Sequence, residues 1–156
     1  MVISNLELGN FRFFVARAGL VLLFLGITLL QLFSFPGQFQ HMRRIQGWPF
    51  FYEVALTMTV GVWLLCGQVA LICLWQIIGA MKRSQFFSRH NLVWIQRLLL
   101  AFKGACIMPM LLFLLIAPQA DDPGFLVLLT IVTLFIFSLT AVTSLLKDQI
   151  ASKISE

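Results

Sequence analysis

The chain has 156 residues, of which 60% are hydrophobic and 11% charged, and its mean hydropathy is +0.96. Soluble domains carry about 45–50% apolar and about 25% charged residues, and a chain of this length has no single core able to hide the excess from water. Eleven Lys and Arg against six Asp and Glu give +5 at pH 7; the basic residues flank apolar runs, which fits lipid headgroups rather than nucleic acid, so a soluble enzyme, a disordered tail and a nucleic-acid module are poor readings and an integral membrane protein is the strong one.

Crossing a hydrocarbon layer of about 30 Å takes about 20 mainly apolar residues in a helix. The first such run is Ala16 to Phe35, ended by Pro36-Gly37. It exceeds a signal-peptide core of about 7–15 residues and no small-x-small cleavage site follows, so it is read as retained. The second run is Val54 to Ile78, ended by Gly79; the third is Leu98 to Pro118; the fourth is Phe125 to Leu146. Of the charged residues, Arg17 and Lys103 alone fall inside these limits, and each is close enough to an end for its side chain to reach headgroups. Runs such as Val21 to Leu25 and Leu111 to Leu115 are continuous, unlike the alternation of a membrane barrel, and helices satisfy their backbone internally in lipid. The sequence therefore predicts an all-α fold, a polytopic transmembrane four-helix bundle in a single integral membrane domain.

The connecting segments set the orientation. Arg12, Arg17, Lys82, Arg83, Arg89, Arg97, Lys103, Lys147 and Lys153 share one face, and only Arg43 and Arg44 lie on the other. By the positive-inside rule both termini and the second loop are cytoplasmic, and the predicted location is the cell membrane. Trp75 and Trp94 fall at the inner boundary and Trp48 and Tyr52 at the outer one, as an interfacial belt does; Trp63 is mid-span and reads as packing.

Several residues invite a functional reading beside a plainer one. Ser88 is a good N-cap for a third helix whose Leu92, Ile95, Leu98 and Leu99 recur at helical spacing, so that helix starts outside the hydrocarbon. The segment with Lys82, Arg83, Phe87, Ser88, Arg89, Asn91 and Arg97 is a lipid-contacting, topology-setting hairpin, or a docking surface for a cytoplasmic partner. Pro109 removes a backbone hydrogen bond mid-span, which predicts a kink; packing is the plainer use and a gate hinge the sharper one. Lys103 snorkels, or serves an ion or proton. Gln31, Gln68 and Gln76 fit interhelical amide bonds, and Ala101-x-x-x-Ala105 a close helix contact. In the outer loops, Arg43 and Arg44 could meet Glu53, Asp121 or Asp122, and Asp-Asp-Pro-Gly suits a tight turn; an ion-binding or sensory use of these carboxylates is the sharper reading. Cys66, Cys73 and Cys106 are odd in number and lie in apolar runs without ligand spacing, so neither disulfides nor a metal site is expected. His41 and His90 fall on opposite faces, and no nucleophile stands beside a base, so no catalytic residue, cofactor or metal is expected.

From Trp75 onward short motifs follow in a set order: Phe87-Ser88-x-x-Asn91, then Met108-Pro109, then Asp121-Asp122-x-Gly124 and a last apolar span. In this half the chain resembles the bacterial domain of unknown function 2975 family of small four-span membrane proteins; the first half matches it in span number and size only. The resemblance brings no chemistry. It implies a membrane partner or modulator of a small helix-turn-helix transcription regulator, because members are often encoded beside one, and it assigns no role to Ser88 or Asn91. The expected partners are thus the lipid bilayer, a cytoplasmic protein and further copies of the chain, without direct nucleic-acid contact. The expected function is non-enzymatic interaction or signalling; the alternative is a small transporter or channel subunit acting as an oligomer.

Overall fold

The computed structural model describes residues 2–83, 88–119 and 123–155, with side chains over 11–83, 88–118 and 124–154. All the elements are helical: α1 (Val2–Leu29), a π-helical turn (Leu30–Ser34), α2 (Phe35–Gln46), α3 (Phe50–Lys82), α4 (Arg89–Ile116), a short 3-10 turn (Ala117–Gln119) and α5 (Pro123–Ser155). Four helical stretches, Phe11–Gln46, Phe50–Lys82, Arg89–Ile116 and Gly124–Ile154, are long and apolar enough to cross a membrane. The all-α transmembrane bundle read from the sequence is the architecture found. Large apolar side chains cover its outside, with Leu22, Phe33, Phe51 and Leu100 each at least 70% exposed, which is the surface that lipid tails shield.

The first helix departs from expectation at its end. It does not stop at Pro36-Gly37 but continues through them to Gln46. The proline ring has no N–H to donate and would crowd the carbonyl four residues back, that of Leu32. The chain answers by widening one turn: the N–H of Phe35 bonds to the carbonyl of Leu30, five residues back, a π-bulge of the kind that absorbs such strain. Most of the segment read as the first outer loop is therefore helix. The true turn is short: Gly47 adopts φ 68°, its N–H bonds to the Arg43 carbonyl at 3.0 Å, and Pro49 precedes α3. A left-handed glycine is the common way to end a helix.

Packing is serial. The α1–α2 rod lies antiparallel against α3, α3 against α4, and α4 against α5. Small residues bring the central pair close, as expected where lipid removes the usual hydrophobic drive: Ala70, Cys73, Leu98 and Ala101 form one buried cluster, Ala105 is buried beyond it, and a Cβ on Gly104 would lie 3.3 Å from the Cys66 sulfur. A second cluster, Phe39, Leu56, Val60, Leu112 and Leu129, joins α2 to the other three helices at the end far from the termini. Trp63 packs against it. Pro109 is buried inside α4, which runs through it as one element.

Candidate functional site

Two regions stand out, one at each end. The basic end gathers the C-terminus of α3, the start of α4 and the end of α5. Arg83 ends α3, and Ser88 caps α4 by accepting a hydrogen bond from the Asn91 N–H at 3.2 Å. Asn91 is fully buried beneath that cap. Ser88 and Asn91 thus build a fixed helix start, and this explains their spacing without a ligand. Phe87 lies outside the described residues. Lys82, Arg83, Arg89 and Arg97 are exposed. The Arg97 guanidinium lies 4.7 Å over the Trp94 ring, and the Trp94 indole N–H donates to His90 Nε2 at 3.2 Å. Among the described side chains the carboxylate at this end is Asp148, which faces its neighbour Lys147 at 3.2 Å. The other described cations form no ion pair there, apart from Lys153, which has contacts of its own. The tail is not a loose appendage, since α5 stays helical to Ser155 and Ile150 within it is buried.

The middle of the bundle holds the polar spans residues. Gln68 is buried and donates to the Thr28 hydroxyl at 2.9 Å; Gln31 donates to the Gly61 carbonyl at 3.2 Å. Both amides tie the α1–α2 rod to α3 as interhelical bonds, Gln31 from the π-helical turn, whereas Gln76 is exposed. Lys103 lies on the exposed stripe of α4 with Leu100, Ile107 and Met110. The adjacent Gly104 packs on Cys66, nine residues along α3 from Trp75, or about 13 Å of helix. Side chains lean toward the helix N-terminus, so Lys103 leans toward the basic end. The three cysteines are free, and among the described residues no His, Cys, Asp or Glu cluster could hold a metal.

The far end carries the feature that sequence reasoning missed. Between α2 and α5, the two edges of the array, lies a cavity of ≈ 700 Å³ floored by α3 and α4. Phe39, Met42, Leu56, Leu112, Ile116 and Leu129 are among its walls, with Ser34, Gln38 and Gln46 among its polar members. Its size is that of a small-molecule site. The signal was present in the spacing Phe35, Phe39, Met42, Gln46, one face of a helix, but only once the chain is helical past Pro36. Around it, Arg43 Nε meets Glu53 at 2.5 Å, Trp48 stands edge-on to Tyr52 with ring centroids 4.9 Å apart, and the Tyr52 hydroxyl donates to the Leu115 carbonyl. Arg44 is exposed and does not share the Arg43 pairing. Asp121 and Asp122 lie outside the described residues.

The family model described as "Protein of unknown function (DUF2975)" matches residues 38–153. The match starts well before Trp75, where the motif resemblance begins, and so takes in α2 and α3 as well. No curated protein and no solved structure matches the chain.

Proposed function

Since the chain belongs to the DUF2975 family of proteins of unknown function, we propose that it is a non-enzymatic protein of the bacterial cytoplasmic membrane that recruits an acidic cytoplasmic partner through its basic end. The observation that carries this reading is the set of exposed cations Lys82, Arg83, Arg89 and Arg97, held on the end of α3 and the first turns of α4 and without ion pairs among the described residues. A fixed basic platform attracts an acidic protein surface and speeds its arrival. The positive-inside rule places that platform in the cytoplasm, with both termini. The partner class implied by the sequence resemblance is a small helix-turn-helix regulator, which the membrane protein would sequester or signal to; the chain itself touches no nucleic acid. The test is extraction in mild detergent and recovery of bound soluble protein from the parent and from an Arg83→Gln/Arg89→Gln/Arg97→Gln variant. Recovery with the parent and loss with the variant, at unchanged helix content, support the reading. Recovery of the chain alone, or equal recovery from both, counts against it.

The second reading is a small transporter or channel subunit, and the far-end cavity favours it. That cavity is apolar and occupies only one end, while Gln68 is taken by Thr28. A continuous polar path would need surfaces from further copies.

A further inference from the structure

Arg17 is half-buried between α1 and α3 and, unlike the half-buried Arg43 and Lys147, has no ion-pair partner among the described residues. Its guanidinium carbon lies 4.8 Å over the Trp75 ring, while its Nε is buried and has no hydrogen-bond partner among the described residues. Residue 79, a glycine, leaves room beside it: a Cβ there would come within 3.1 Å of Arg17 Nη2, and a larger side chain would meet the guanidinium. Directly along the same helix faces runs an open apolar groove of ≈ 200 Å³ between α1 and α3, with Leu20, Phe24 and Leu25 on one wall, Leu71 and Ile72 on the other, and Trp75 closing its end. Arg17, Leu20, Phe24 and Leu25 form a single stripe at helical spacing, so the cation sits at the head of the groove. An exposed apolar channel headed by a cation that no carboxylate among the described residues neutralises matches one molecular shape: an anionic headgroup with a tail.

We infer that the α1–α3 groove is a binding site for an anionic phospholipid, its phosphate received by Arg17 on the Trp75 ring and one acyl chain lying along Leu20 to Leu25. Trp75 holds the guanidinium by cation–π attraction, and Gly79 keeps its position clear. The planar fork of arginine suits a phosphate better than a lysine point charge does. The inference stands independently of partner recruitment and needs only residence in a membrane. Arg17 and the α1 wall precede the residues that the family model matches.

The test reads the site through Trp75. A parent with Trp48, Trp63 and Trp94 replaced by Phe is reconstituted into mixed phosphatidylglycerol–phosphatidylcholine vesicles in which either one or the other lipid carries bromine. Brominated phosphatidylglycerol should quench Trp75 with an apparent affinity about fivefold higher than brominated phosphatidylcholine, which converts to about 1 kcal/mol, the value of one interfacial basic residue. Arg17→Gln should abolish the preference. Gly79→Leu should also abolish it, although the charge is kept, because the new side chain displaces the guanidinium; Arg17→Lys should retain part of it. Equal quenching by both lipids in the parent overturns the inference, as does an unchanged preference in Arg17→Gln or Gly79→Leu. Loss of the preference on adding millimolar inorganic phosphate also overturns it, since the site would then take a free anion rather than a lipid.

Discussion

Arg43 of α2 and Glu53 of α3 meet at 2.5 Å across the short turn at Gly47, their side chains 34% and 15% exposed. The pair closes the far end of the α1–α3 hairpin, and the Arg43 guanidinium also lies 5.6 Å from the Phe50 ring centroid. Partial burial strengthens the attraction but also adds a desolvation cost, so the pair is expected near the upper end of the about 0–1 kcal/mol of a solvated pair. A double-mutant cycle with Arg43→Ala and Glu53→Ala, followed by thermal unfolding in detergent, should give a coupling of about 1 kcal/mol. Additive effects of the two changes would mean that the contact does not hold the hairpin.

The turn itself depends on one backbone angle. Gly47 sits at φ 68° with no side-chain atom nearby to obstruct a Cβ, so the cost of substitution is conformational rather than steric. Gly47→Ala should lower stability by about 1 kcal/mol, and Gly47→Asn by less, because asparagine tolerates the left-handed region. Equal losses from Ala and Asn in the same unfolding assay would contradict this account.

At the other end, the Ser88 cap fixes the start of α4 and the platform above it. Ser88→Ala should cost about 1 kcal/mol and raise amide exchange at Asn91 and Leu92, while Ser88→Asp should preserve protection. Unchanged exchange in Ser88→Ala would show that the helix start is held by something else.

Close approach of α3 and α4 rests on Gly104 against Cys66. A bulky residue there forces backbones apart in an interface built from Ala70, Cys73, Ala101 and Ala105. Gly104→Leu should destabilise the protein by about 1–3 kcal/mol through overpacking, and Gly104→Leu with Cys66→Ala should recover part of the loss. No recovery in the double variant would place the strain elsewhere.

Much of this architecture is legible in the sequence because the bilayer imposes it. Continuous apolar runs bounded by charges leave helices as the way to satisfy the backbone, and Ser88 and the Ala101–Ala105 pair announce a cap and a contact. The path through Pro36 is not legible. A Pro-Gly pair ordinarily ends a helix, and whether a π-bulge rescues it depends on the packing of α2 onto α3, a tertiary contact that spacing alone does not reveal. The far-end cavity and the Arg17 groove were hidden for a related reason: both lie between helices, and the serial order of packing decides which faces stay open.

In the proposed orientation the cation-rich end faces the cytoplasm, with the α2–α3 turn on the other side. Labelling of intact cells with a membrane-impermeant maleimide tests it most directly, using single cysteines at two exposed positions, Gln40 on α2 and Ser152 on α5, in a background without Cys66, Cys73 and Cys106. Gln40→Cys should label in intact cells, and Ser152→Cys only after the membrane is opened. The reverse pattern would place the basic platform outside and contradict the account.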